Sequence, residues 1–187
     1  MGADIALRYY RALADLPHDR QAALAELESC FGAAETPGRI DGPTRGRLIT
    51  TTYGYGLDAI ARAIARMWMP WTGKVFDPEA KEGRNLFTPS FRPVLRILWP
   101  GYDLDRDEGP RRFSAFPFTT WHGASTYPPG GREVLKIDYE HPQSPWLVRD
   151  ILDELVRIDE TVHLGQALLR FRGRLRRVAW FELRPAA

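Results

Sequence analysis

The chain has 187 residues, of which 44% are hydrophobic, so it can bury one full core and is short for two domains. We therefore expect a single domain over 1–187. Its 26 Lys and Arg residues are nearly balanced by 24 Asp and Glu residues. This balance excludes a global field of the kind that attracts nucleic acid or an anionic membrane.

Cysteine usage and the N-terminus indicate the compartment. Cys30 is the sole cysteine in the sequence, so neither an internal disulfide nor a cysteine-rich metal site can form. Asp4 stands where a signal peptide would be basic, and no apolar run approaches the ~20 residues of a membrane-spanning helix. We expect a cytoplasmic protein with no membrane span, and the sequence gives no indication of oligomeric state.

The segment 1–35 is predicted to form two helices. Ile5, Tyr9 and Leu13 recur at helical spacing, and a second apolar series follows Pro17 with the same period. We expect these helices to cover one end of the sheet structure that follows, as a lid or an appendage.

The remainder is predicted to be mainly strands. A first strand begins at Arg45, and a helix over 57–68 with one apolar face would cap an open end. From Trp71 the hydrophobic period changes from 3.6 to 2. Turn residues separate short apolar segments at 71–77, 84–88, 92–99, 111–120, 133–140, 154–158, 162–171 and 176–184.

These segments predict a closed sheet. The clearest hairpin signature is 153–170, in which two extended runs flank the acidic turn at Asp159. The stretch 142–152 fits either a short amphipathic helix or a bent strand. Because closure removes exposed edges, we expect an α+β, mainly β fold: an antiparallel up-and-down barrel of about eight strands over 45–184, with N-terminal helices and the inserted capping helix 57–68.

Three short motifs carry a resemblance to a known family. They are Gly38-Arg39-Ile40-Asp41-Gly42, then Trp71-Thr72-Gly73-Lys74-Val75-Phe76, and a later segment in which Asp153, Arg157 and Asp159 precede Leu164-Gly165. From about residue 38 to 184 the chain resembles uncharacterised bacterial proteins of the GXWXG type, with Ile40 where that group has Trp. The resemblance implies a lipocalin-like (calycin) small barrel that binds a small, largely apolar molecule, and it implies no known reaction. Some barrels of the wider calycin class hold haem through a histidine.

Aromatic residues and one lysine are candidates for a pocket inside such a barrel. Trp71, Phe76 and Trp99 are candidate apolar ligand-binding residues. An inward Lys74 would be desolvated, would have a lowered pKa, and could pair with a ligand carboxylate or form an imine. The alternative is a surface lysine whose stem covers aromatic area.

Tyr139, His163 and His122 are further candidates. An inward Tyr139 would give the pocket a polar tip that orients a ligand. His163 lies on the face opposite Leu164, where it serves as a proton shuttle or haem ligand if inward, and as a surface residue if outward. His122 follows Trp121 and lines either the barrel mouth or a loop.

Other chemistries have little support in the sequence. The four histidines are not spaced as a paired metal motif, so we expect no metal site and no cofactor. Five arginines surround Gly173 at a predicted hairpin tip: Arg170, Arg172, Arg174, Arg176 and Arg177. Only Phe171 offers a ring for base stacking there, so we expect no nucleic-acid partner.

Four functions follow, in order. The leading one is binding of a small apolar or amphipathic molecule in a barrel pocket. The alternative is a small-molecule enzyme, an isomerase, cyclase or lyase, in which Lys74, Tyr139 or His163 is the catalytic candidate and transfers protons in that pocket. A haem-binding barrel is third, and a structural or partner-binding role with a packed interior is fourth.

Overall fold

An antiparallel β-barrel forms the body of the protein in a computed structural model that describes residues 2–52, 70–127, 131–142 and 144–186. Its strands are β1 (Gly42–Thr51), β2 (Trp71–Asp77), β3 (Glu82–Phe87), β4 (Arg106–Asp107), β5 (Phe113–Ala124), β6 (Glu133–Asp138), β7 (Ile151–Arg157), β8 (His163–Phe171) and β9 (Arg174–Pro185). All except β4 pair with their neighbours in chain order, and β9 pairs back with β1. The predicted eight-stranded up-and-down barrel is therefore confirmed, and the two-residue β4 lies beside β5 as an addition.

The helices are α1 (Gly2–Asp15), α2 (Arg20–Ala33), α3 (Arg92–Leu98) and the four-residue α4 (Trp146–Arg149), with a 3-10 turn at Pro89–Phe91. The two N-terminal helices are confirmed. The strand prediction for 92–99 is wrong, because Pro93 has no N–H for a sheet ladder and suits a first helical turn, where α3 begins. The ambiguous stretch 142–152 contains α4 followed directly by β7. The helix predicted over 57–68 lies outside the described residues.

The N-terminal helices cover the outer wall of the barrel, which corrects the expectation that they cover an end. Tyr9, Leu27 and other residues of α1 and α2 form a buried cluster with Val156, Leu164 and Trp180, which point outward from β7, β8 and β9. These strands are buried on both faces along much of their length, because α1 and α2 cover many of their outward side chains. The helices therefore provide a second hydrophobic layer.

One end of the barrel, which we call the mouth, is crossed by residues 34–41, which we call the strap. Glu35 exchanges backbone hydrogen bonds with Arg157 at the end of β7. Farther along, Nε2 of His122 on β5 lies 3.0 Å from the carbonyl oxygen of Pro37. The strap thus passes from β7 over the opening before the chain enters β1.

The opposite end, which we call the base, is closed by apolar residues of α3, α4 and the 3-10 turn. Phe91 of the 3-10 turn and Leu95 of α3 belong to the interior cluster. Leu147 and Val148 of α4 belong to it as well. The ring of Phe91 stacks on that of Phe87 with centroids 4.9 Å apart. The interior core is therefore continuous with the base.

Close packing explains why glycine is found at Gly73 and Gly165, which belong to two of the three sequence motifs. Gly73 has φ +148°, and a Cβ there would lie 2.0 Å from the backbone oxygen of Thr44. A Cβ on Gly165 would lie 2.2 Å from the ring of Phe181. Both positions let a neighbouring strand or ring approach more closely than any side chain would allow.

We expect Gly165→Ala to lower the free energy of unfolding by about 1–3 kcal/mol, because the added methyl group forces the Phe181 ring out of its place in a packed core. Urea denaturation measures the change. Gly101→Ala is the matched control, since a Cβ at Gly101 meets no atom within 4 Å. Equal stability of the two variants would contradict the close packing at Gly165.

Candidate functional site

Lys74 lies inside the barrel on β2, where an irregularity brings Trp71 to the same face. The register of β2 against β3 shifts between Trp71 and Gly73, so that Trp71 and Lys74 both face the interior although they are three residues apart. Phe76, two residues farther along, also points inward. Lys74 is only 2% exposed.

Lys74 is the centre of a buried polar cluster. Its Nζ lies 2.9 Å from Oδ2 of Asp153 on β7 and donates to Oδ1 of Asn85 on β3 at 2.8 Å. The hydroxyl of Tyr139, which contacts the same Nζ, donates to Oδ2 of Asp153 at 2.9 Å. Nε1 of Trp71 donates to Oδ1 of Asn85 at 3.1 Å. The cluster thus joins opposite walls of the barrel.

Aromatic rings surround the ammonium group. Its Nζ lies 5.0 to 5.5 Å from the ring centroids of Trp71, Phe118, Tyr139 and Phe181. Burial lowers the pKa of Lys74, while the carboxylate of Asp153 opposes that shift. Burial, reinforced by the charge of Asp153, raises the pKa of Tyr139 well above its usual value, so Tyr139 keeps its proton.

The space beside this cluster is small. A cavity of about 20 Å³ is lined by Trp71, Asn85, Tyr139, Asp153 and neighbouring apolar side chains. That volume accommodates about one water molecule. The residue that pairs with Lys74 is the chain's own Asp153, and the expected ligand carboxylate or imine at Lys74 would require the core to open.

A larger concavity of about 500 Å³ lies at the mouth, between the strap and the barrel rim. We call it the mouth groove, and its lining residues are Gly38, Arg39, Ile40, Phe76, Asp77, Pro78, Lys81, Glu82, Thr120, Trp121, His122 and Leu135. Phe76 and Leu135 form its apolar floor and also belong to the interior core. Ile40 of the strap packs against the same core, and Trp121 is 41% exposed.

One cation of the mouth groove is uncommitted. Arg39 is paired with Glu79, with Nη1 2.5 Å from Oε1. The side chain of Lys81, in contrast, makes no hydrogen bond or ion pair among the described residues. Lys81 also has φ +55°, a left-handed conformation that is uncommon for a residue with a side chain. The groove therefore combines an apolar floor with an available ammonium group at its edge.

The structure distributes the sequence-predicted residues over different places. Phe76 and His122 line the mouth groove, and Trp71, Lys74 and Tyr139 meet in the interior cluster. Trp99 is at the base, where its ring lies 6.0 Å from that of Phe116. His163 faces inward on β8 but lines neither the groove nor the small cavity.

Asn85, Asp153 and Lys81 are the residues that sequence reasoning missed as site residues. Asp153 belongs to a motif, yet no local pattern pairs it with a lysine 79 positions earlier in the chain. Asn85 reaches the cluster only because β3 pairs with β2 in this register. Lys81 lies in a turn whose relation to the strap depends on barrel closure.

Comparisons with known proteins establish the fold alone. No family model matches the chain, and no curated protein matches it. A solved structure described as a protein from Thermomonospora curvata is similar, with 15% sequence identity and a TM-score of 0.55, covering 96% of this chain and 99% of that one.

No helix within the described ranges combines the length and apolar character needed to cross a membrane. The described residues contain no group of three or more His, Cys, Asp or Glu side chains arranged to hold a metal ion.

We expect Lys74→Met to lower the free energy of unfolding by about 3–5 kcal/mol, because it leaves the carboxylate of Asp153 buried without its cation. The double variant Lys74→Met/Asp153→Asn should recover much of this loss. Urea denaturation measures both. As the control, Arg39→Met breaks an exposed ion pair and should leave the midpoint nearly unchanged. A wild-type midpoint for Lys74→Met would contradict the role of the pair.

Burial, reinforced by the positive charge of Arg157, lowers the pKa of His163 below its ordinary value of 6.5. As the pH falls through 6.5 the unfolded chain takes up a proton at His163 before the folded protein does, so folding stability should decrease until the folded-state pKa is reached. Unfolding free energies at about pH 8 and about pH 5.5 should differ less in His163→Gln than in the wild type. The exposed-residue variant His18→Gln should keep the wild-type difference, and equal pH dependence in all three proteins would count against the prediction.

Proposed function

We propose that the protein binds a small amphipathic molecule in the mouth groove. The observation that carries the proposal is the size and lining of the groove. Its volume of about 500 Å³ is within the range of about 300–1,000 Å³ of small-molecule sites. Such sites combine apolar walls with a few polar groups that orient the ligand, as this groove does.

The lining divides into an apolar and a polar part. Phe76, Leu135 and Ile40 offer apolar surface to the body of a ligand. The hydroxyl of Thr120 and the uncommitted ammonium group of Lys81 lie among the lining residues that can meet a polar end. A wholly apolar molecule would leave these polar groups without partners, so an amphipathic ligand suits the groove better.

The geometry favours binding over an isomerase, cyclase or lyase reaction. None of the three catalytic candidates lines the mouth groove. Lys74 and Tyr139 are held by Asp153 beside a cavity of about one water. Arg157 pairs with His163 and Asp153 with Ala167, so His163 lies four residues, ~13 Å along β8, from the level of Asp153. Proton transfer between these groups across one substrate therefore has no support in the arrangement.

The haem option depends on His163, whose surroundings do not favour it. His163 is 8% exposed and lines neither the mouth groove nor the interior cavity. A haem ligand needs space beside its ring for a large planar group. We therefore place haem binding after amphiphile binding.

We also infer a distant relation to the GXWXG-type barrels. Gly73 and Gly165, which belong to the similar motifs, allow close approach of Thr44 and Phe181. Ile40, at the position of that group's Trp, packs against the interior core from the strap. A packing role for each motif supports the relation, and small-molecule binding is what that group's fold suggests.

The fluorescent fatty acid cis-parinaric acid, which has an apolar chain and a carboxylate but neither an aromatic ring nor a phosphate group, tests the proposal. We expect one molecule to bind per chain and Trp121→Ala to weaken its affinity about 5- to 10-fold, because the variant removes an indole from the groove lining. Ile40→Asp should weaken it further. The measurement is a fluorescence titration, with circular dichroism to show that each variant is folded.

Trp146→Ala is the matched control, because Trp146 is an exposed tryptophan at the base, 63% accessible, and lies far from the groove lining. It should bind the probe as the wild type does. Unchanged affinity in both groove variants, or loss of affinity only in Trp146→Ala, would exclude the mouth groove as the site.

A further inference from the structure

A second cleft lies at the base of the barrel, at the opposite end from the mouth groove. Its volume is about 630 Å³, and it is formed by α4, the chain after β6, the start of β7 and the end of β8. The side chains that matter here are Trp146, Arg149 and Arg170, with the carboxylates of Glu140 and Asp150 beside them. We call it the base cleft.

Trp146 offers a free aromatic surface in this cleft. Its side chain is 63% exposed, which is unusual for a residue of this size. Neighbours in α4 are instead buried, since Leu147 and Val148 join the interior core. Within the described part of the chain the indole of Trp146 makes no hydrogen bond and no ring contact. Both a flat face for stacking and an N–H donor are therefore available.

Two arginines in the cleft are also uncommitted. Some arginines of the described chain are paired, as Arg8 is with Glu26 and Arg177 is with Glu28. The guanidinium groups of Arg149 and Arg170, in contrast, make no hydrogen bond or ion pair with any described residue. A guanidinium group binds phosphate through two parallel N–H donors, so such a pair of free arginines suits a phosphate group.

The fold holds Arg170 in position and adds positive charge behind it. The backbone N–H of Arg170 donates to the carbonyl oxygen of Asp150 at 2.8 Å, which ties the end of β8 to the start of β7. The following hairpin carries three more exposed arginines, Arg172, Arg174 and Arg176. These charges raise the positive potential at the Arg170 side of the cleft.

The two carboxylates restrict where an anion can lie. Glu140 and Asp150 repel a phosphate group placed next to them, whereas they accept hydrogen bonds from amino or hydroxyl groups. A ligand that carries its phosphate toward Arg170 and its hydrogen-bond donors toward Asp150 satisfies both kinds of charge. A simple anion would contact the arginines and leave the carboxylates of Glu140 and Asp150 without a ligand group.

We propose that the base cleft binds a small molecule that combines a phosphate group with a flat aromatic ring, as a mononucleotide does. Arg149 and Arg170 bind the phosphate, the ring stacks on Trp146, and Asp150 accepts a hydrogen bond from the ligand. The proposal is independent of amphiphile binding at the mouth, because the two sites share no lining residue.

The residues of the base cleft come together only when the chain folds. Near Gly173 in the sequence, Phe171 is the one aromatic residue among the arginines, so the sequence alone provides no reason to expect a stacking site. Folding brings Trp146, 24 positions before Arg170, into the same cleft. The cleft is the size of a small-molecule site, which favours a free mononucleotide over a nucleic-acid strand.

Adenosine 5′-monophosphate is the probe, titrated into the full-length protein by isothermal calorimetry. We expect Trp146→Ala and Arg170→Gln each to weaken binding at least about 10-fold, since each removes one of the two recognition elements. Adenosine and inorganic phosphate, added separately, should each bind far more weakly than the nucleotide. Trp121→Ala and Arg11→Gln are matched controls that should keep wild-type affinity.

Four results would overturn the proposal. They are no detectable binding of the nucleotide at about 1 mM, equal binding by the wild type and both cleft variants, equal binding of adenosine and nucleotide, and binding of a short single-stranded oligonucleotide without binding of the nucleotide. Thermal unfolding of each variant distinguishes lost recognition from lost folding. Amphiphile binding measured on the same samples shows separately whether the mouth groove is intact.

Discussion

The ion pair between Lys74 and Asp153 is the interaction on which the barrel interior depends. It joins β2 to β7 across the centre of the barrel, Asn85 accepts a hydrogen bond from Lys74, and Tyr139 donates one to Asp153. Each charge on its own would be very costly in this aromatic core, so the two residues and their neutral partners form one unit. The unit therefore connects opposite walls of the barrel through its interior.

With this arrangement the barrel interior has a structural role, and the proposed ligand-binding sites lie at the mouth and the base. Aromatic side chains and the polar cluster fill the interior, and the cavity that remains beside Lys74 has the volume of about one water molecule. The outer wall at β7 to β9 is covered by α1 and α2. The mouth and the base are where lining side chains keep uncommitted groups, Lys81 at one end and Trp146 with two arginines at the other.

The strap links the helical layer to the mouth. It begins where α2 ends on the outer wall, exchanges backbone hydrogen bonds with β7 through Glu35, and contributes Ile40 to the groove. The strap therefore connects the end of α2 directly to one wall of the mouth groove.

The sequence by itself determined the two N-terminal helices, the eight barrel strands in outline, and the hairpin of β7 and β8. Hydrophobic period and turn residues decide these features locally, and the same logic failed at 92–99, where two nearby prolines replaced a strand with α3. Only the tertiary structure decided that Trp71 and Lys74 face inward together, since that depends on the register shift after Trp71. It alone paired Lys74 with Asp153 and placed Trp146 beside Arg170, because contacts between residues far apart in the chain follow from strand register and barrel closure, which no local pattern encodes.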